Sequence, residues 1–355
     1  MNFALLSAPR VAFLRLAPRF RAALRLRRSS YAGMRSEEEP PPLTKEDSLV
    51  NAVMNGDADA VAQMLAEGAD PDCSRFFGFA QMSPLCIACV LGDVKIVTAL
   101  LDADVDVGMQ HDEIGIQSPL SAASLNGHAA ILELLLERGA PVDDPDAKGY
   151  TALHLCCANG HAKCARMLLS AGSYVDREAL DGCTPFWLAF SWGRLECVQV
   201  VSAWGAARVF PREQVGRPLQ VSQEVQAWLA VSRGWGPLHH LEVNLADRTL
   251  QLLRGTGESL HSGGAASPLS LARALQRRGL APKGSSADLV LRAAEPWSPS
   301  THHLFPARAR ARASLLVRQG WLLSRTPPFH SQAQALVDVF RELVLPHAIS
   351  REEGE

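Results

Sequence analysis

Residues 149–172 read GYTALHLCCANGHAKCARMLLSAG and hold two histidines and three cysteines in 24 positions. Such a stretch can be a metal or thiol site. It can equally be a helix–turn–helix whose small and polar residues are set by packing. The segments on either side decide between these. SPLCIACVLGDVKIVTALLDADVDV begins at Ser83, SPLSAASLNGHAAILELLLERGAPVD at Ser118, TALHLCCANGHAKCARMLLSAGSYVD at Thr151 and TPFWLAFSWGRLECVQVVSAWGAA at Thr184, so the starts lie 35, 33 and 33 residues apart. An upstream copy begins at Ser48 with its opening triplet eroded. Each copy passes from a Ser/Thr-led triplet through small residues and a turn residue to an apolar i, i+3, i+4 stripe. A period near 33 residues predicts a stacked array, because no single unit of that size can bury its own apolar face.

The pattern resembles the ankyrin repeat. Thr151-Ala152-Leu153-His154, Asn159-Gly160-His161 and Ala171-Gly172 fall at that family's helix start, inter-helix turn and terminal turn. Pro84, Pro119 and Pro185 suit a first helical turn, where the missing N–H leaves nothing unpaired. Gly92, Gly127, Gly160 and Gly193 sit where the first helix of each pair must end. The resemblance implies that the imidazole of His154 hydrogen-bonds between repeats, and it places His128 and His161 just after the turn glycine. Cys86, Cys89, Cys156 and Cys157 then occupy small-residue slots, where a thiol acts as a small buried hydrophobe. Cys86 and Cys89 form a C-x-x-C on a helix, with no second pair at zinc spacing. No metal and no cofactor are expected. In the fifth repeat Trp187 stands where the family has its histidine, so the inter-repeat hydrogen bond is expected to be missing there.

The fold class expected is all-α: an ankyrin-repeat solenoid with hairpin loops and a C-terminal helical cap. The domain order expected is a leader (1–33), an acidic Pro-rich linker (34–46) and five repeats (47–205). An irregular linker with a helix from about Leu219 to Val231 (206–234) follows, then two degenerate repeats (235–297) and the cap (298–355). In the degenerate pair, Pro237-Leu238-His239 and the run from Ser267 take the triplet role. In the last segment, Ala307–Ser324 predicts a helix with Leu315, Leu316, Trp321 and Leu322 available for packing. A second is predicted through Leu336, Val339, Phe340 and Leu343. Arg308, Arg310, Arg312, Arg318 and Arg325, with no acid between them, form a basic patch that reads as a solvated face or as a surface for an acidic partner.

Charge is unevenly placed. The 355-residue chain has 35 basic and 37 acidic residues, but residues 1–36 hold eight arginines and no acid. The rest is therefore strongly acidic, which argues against a general nucleic-acid binder. The leader has the composition of an organelle transit peptide. A tail without structure, or translation from Met34, would explain it as well. The expected location is cytoplasmic, or a mitochondrion or plastid if residues 1–33 are a transit peptide. No apolar stretch is long enough to span a membrane, and eight unevenly spaced cysteines suit a reducing compartment.

No catalytic constellation stands out. GTGESLHSGG lacks the Gly-Lys-Ser/Thr of a phosphate loop. His239-His240 and His302-His303 are adjacent, so on a helix they cannot chelate as i, i+4 pairs do. The chain is expected not to be an enzyme, with activity hidden in the C-terminal third as a remote alternative. As the family implies, the expected function is protein binding by the concave groove and hairpin tips. The residues mapped to that surface are Leu91, Leu125, Asn126, Asn159 and Trp192 before the turn glycines. At the tips they are Phe77, Phe79, Met82, Ile114, Tyr150 and Leu180. The partner is another protein. The alternative is a ubiquitin-ligase substrate adaptor, because SLLVRQGWLL at Ser314 and LVLPHAI at Leu343 resemble a SOCS box. The resemblance fails where Gln319 replaces that module's buried cysteine, and Leu345-Pro346 gives only half of its cullin motif.

Overall fold

The computed structural model describes residues 44–77, 80–109, 118–208 and 222–324, except 242, 244, 256–259, 261–266, 296–297 and 299; side chains of 75–81 and 319–324 are outside it. The chain divides into two compact units that meet at residue 229.

The first unit is a two-layer stack of helix pairs. They are α1 (Lys45–Asn55) with α2 (Ala58–Ala66), α3 (Pro84–Leu91) with α4 (Val94–Asp102), and α5 (Pro119–Asn126) with α6 (Ala129–Glu137). Two more pairs follow, α7 (Ala152–Asn159) with α8 (Ala162–Ser170) and α9 (Pro185–Ser191) with α10 (Leu195–Ala203), before a lone helix α11 (Gln223–Val231). First helices pack on first helices, α1 to α3 to α5 to α7 to α9, and second helices on second helices in the same order. Between pairs two and one, a three-residue ribbon joins β1 (Arg75–Phe77) to β2 (Ala80–Met82), with Arg75 opposite Met82.

The helix starts follow from capping. Ser83, Ser118 and Thr184 each accept the backbone N–H three residues on, and a proline follows each in the first helical position. The first helix begins earlier than the repeat pattern implies. Thr44 and Asp47 form a reciprocal capping box, so α1 starts at Lys45 inside the stretch read as linker, and Ser48 lies within the helix. Helices α3, α5 and α7 are enclosed on nearly all sides, and Pro84–Val90, Pro119–Leu125 and Ala152–Ala158 are buried throughout. Small residues let neighbouring helices come this close. The second helices are amphipathic and contribute Ile96, Leu100, Ile131, Leu135 and Leu168, each fully buried. Burial of each such side chain stabilises by about 1.5–3 kcal/mol.

The second unit contains α12 (Ala246–Arg254), α13 (Pro268–Arg277), α14 (Ser286–Ala293) and α15 (Ala307–Ser324), with 3-10 turns at Pro237–His239 and His302–Leu304. Leu238, Leu253, Leu269, Val290, Leu304 and Phe305 share its core. Where a sixth first helix is expected, a single turn stands instead. It keeps the local hydrogen bond, with the N–H of Gly236 donating to Nδ1 of His239 at 3.0 Å, as that of Thr151 donates to His154 at 3.1 Å. Ala309, Ala313 and Leu316 turn α15 onto this core, whereas Leu315 is 55% exposed. The helix predicted through Leu336, Val339, Phe340 and Leu343 lies outside the described residues, as do the side chains of Trp321 and Leu322.

Candidate functional site

The two histidines of residues 149–172 are held by backbone groups of the array. Nδ1 of His154 accepts from the N–H of Thr151, so the ring carries its proton on Nε2, which donates to the carbonyl of Cys183 at 3.2 Å. Burial pulls the pKa of this ring down from 6.5 to about 4. His161 reaches back to the carbonyl of Leu125 at 3.1 Å, and its ring fills the space a Cβ would need at Gly127. His128 packs in the same way on Gly92, and Arg194 on Gly160. All eight cysteines are free, and seven are buried. Burial pushes the Cys86 thiol up to about 12 and raises Cys89 well above its ordinary value, so neither supplies a thiolate at neutral pH. Trp187 is buried against Phe190 at 5.7 Å between ring centres, the apolar contact that stands where the family's histidine would bond.

Several residues assigned to the binding surface belong to the core instead. Met82 is fully buried, Leu125 is 3% exposed and Tyr150 is 7% exposed. Leu125 lies on α5, which packs against α3 on one side and α7 on the other. The Tyr150 hydroxyl donates to the Asp181 carboxylate of the next loop, and burial raises its pKa far above the ordinary value. Phe79 and Ile114 lie outside the described residues, as does the side chain of Phe77. The same holds for the side chain of Gln319 and for Leu345 and Pro346, on which the ligase-adaptor reading turns.

What remains outside is a ladder and a tip. Leu91, Asn126, Asn159 and Trp192 are half-buried at equivalent positions in four successive pairs. Asn126 and Asn159 each tie their amide to the carbonyl four residues back, at 2.9 and 2.8 Å. Leu180 is 83% exposed, yet its backbone N–H is fixed to the carbonyl of Lys148 at 2.9 Å. Tyr174, 69% exposed, is held likewise by the Asp143 carboxylate at 3.1 Å. The repeat pattern passed over Tyr174. Its signal was an aromatic residue where the other repeats have Asp70, Asp106 and Pro141.

The loops are tied from repeat to repeat by carboxylates. Asp72 accepts the N–H of Asp106 at 3.0 Å, Asp143 that of Tyr174, and Asp176 that of Ala207 at 2.8 Å. One open recess of about 680 Å³ lies along the turns of the first two pairs, lined by Gly56, Asp57, Asp59, Gly92, Asp93 and Lys95. Asp57 and Asp93 are occupied there as helix caps. Among the described residues no group of three metal-ligating side chains comes together, and no helix is long and apolar enough to cross a membrane.

A family model described as "Ankyrin repeats (3 copies)" matches residues 49–146 and 120–207. Residues 49–207 therefore carry ankyrin repeats, and the array suggests a protein-interaction role. It is also similar to a palmitoyltransferase, AKR1 of Lachancea kluyveri, with 31% identity over 104 residues. That alignment covers 29% of this chain, and the chain spans 14% of the length of that relative.

Proposed function

We propose that this protein is a non-catalytic interaction module. Its ankyrin array holds a protein partner across the ladder of Leu91, Asn126, Asn159 and Trp192 and on the loop that carries Tyr174 and Leu180. The observation that carries the reading is Leu180: a large apolar side chain stands 83% exposed on backbone hydrogen-bonded to the preceding loop. A pinned loop that holds a leucine in water loses little freedom on binding, and it gains the burial it lacks in the free protein. Trp192 adds a large aromatic beside the turn, the residue type that dominates interface energies. The protonated thiols of Cys86 and Cys89, and His154 and His161 committed to backbone carbonyls, support binding over catalysis. Palmitoyl transfer, named for a relative of which this chain matches about a seventh, has no support from those groups.

The test immobilises the full chain beside Leu180→Glu and Trp192→Glu variants and compares captured proteins by mass spectrometry. Both variants should keep the wild-type helical signal and lose the partner. An unchanged set of captured proteins would remove this surface from consideration.

A further inference from the structure

We propose that the outer face of α15 is a second docking surface, and that its occupant is an acidic amphipathic helix of a protein partner. The inference is independent of the array.

The face is fixed by geometry. Ala309, Ala313 and Leu316 point α15 into the core of its unit. At 100° per residue the opposite side carries Arg308, Ala311, Leu315 and Arg318, spaced i, i+3, i+7 and i+10. All four are exposed, with Leu315 at 55%. An apolar centre rimmed by arginines is the anatomy of a protein interface.

The helix itself supplies no acidic residue across Ala307–Ser324. Its start is also placed against the helix dipole. The first turns of α12 and α14 carry Asp247 and Asp288, the favourable sign, whereas α15 has no acid there and opens with Arg308 and Arg310. The positive potential is felt nearby. His302 is held below its ordinary pKa by burial first and by the guanidinium of Arg310 second. The whole segment 230–324 holds 12 basic and five acidic residues, against 12 basic and 24 acidic in 44–229. An arrangement that weakens its own helix is accounted for by a carboxylate-bearing partner. Glutamates of that partner would meet Arg308 and Arg318, while its apolar stripe covers Leu315.

The probe is a helical peptide with glutamates flanking a leucine–valine stripe, beside the same peptide with glutamines, titrated against the full chain. The glutamate peptide should bind in a salt-sensitive way. Arg308→Glu/Arg318→Glu and Leu315→Glu should each weaken it about ten-fold or more. The Arg-rich residues 1–36 are present in every form, so such a loss belongs to α15. The Arg308→Glu/Arg318→Glu protein should melt no lower than wild type, since the reversal at 308 favours the helix dipole. The proposal is overturned by equal binding of the glutamine peptide, by binding unchanged in the variants, or by a lower melting temperature, which would make the arginines structural. Binding to phosphatidylserine–phosphatidylcholine vesicles without binding to the peptide would overturn it too, in favour of a membrane surface.

Discussion

The imidazole of His154 joins two repeats: Nδ1 takes the N–H of Thr151 at its own helix start, and Nε2 gives its proton to the carbonyl of Cys183, 29 residues on. The first of these bonds requires the neutral ring, whereas the second survives protonation. A second proton would have to sit on Nδ1, facing an N–H that already points at it.

Acid should therefore loosen the array through this residue. The folded pKa, about 4, lies below the ordinary 6.5, so the unfolded chain binds the proton first. The stability contributed by the neutral ring is complete above pH 6.5 and is lost as pH falls toward 4. The loss is on the order of 2–3 kcal/mol. Denaturant melts of wild type and His154→Gln between pH 7.5 and 4.5 would check this. The variant should be less stable at neutral pH and should show a flatter decline with acid. Parallel curves would assign the acid sensitivity to other groups.

Gly127→Ala should be among the costliest small changes in the molecule. Its φ is 74°, and a new Cβ would stand within the ring of His161. Gly68→Ala, at φ 83° with open space around it, should cost only the left-handed penalty of about 1 kcal/mol. At Gly127 the loss should exceed that by roughly 1–3 kcal/mol, as overpacked sites do. His161→Ala in the same chain should return part of it. Equal losses at the two glycines would mean that the ring moves aside freely.

Asp104→Gly should stabilise. Asp104 has φ 59° and is the one non-glycine residue with positive φ among those described. It occupies the terminal-turn position that Gly68, Gly139, Gly172 and Gly205 hold in the other repeats. A gain of about 0.5–1 kcal/mol is expected from relief of left-handed strain, read as a higher denaturation midpoint.

Ending the chain at Ser300 should unfold the second unit and spare the first. Leu304 and Phe305, which are 0% and 2% exposed in the second unit's core, would be lost together with Ala313. Their burial is worth about 3–6 kcal/mol. Hydrogen exchange should rise across 246–293 and stay unchanged across 84–203. Retained protection in 246–293 would show that α15 is dispensable to that core.

The repeat fold was legible because its determinants are local. A proline one residue inside a helix, a Ser/Thr cap before it and a glycine at the left-handed turn are read from neighbours in sequence. The start of α1 was equally local, in Thr44 and Asp47, but was hidden by the acidic proline-rich stretch before it. The surface was less legible. Whether Leu125 and Tyr150 face water depends on a helix and a loop some 30 residues away, and no local pattern carries that information. Leu180 and Tyr174 stand out only once the backbone that holds them is known.

The turn contacts also give the array a direction in time. A ring or guanidinium from the next repeat covers the turns of the second to fourth pairs: His128 over Gly92, His161 over Gly127 and Arg194 over Gly160, with Ser222 standing over Gly193. During synthesis Gly127 leaves the ribosome before the His161 that completes it, so each of these three repeats is finished by its successor. The growing array always has one open end, at the C-terminal side, and each added helix pair closes that end while making the next.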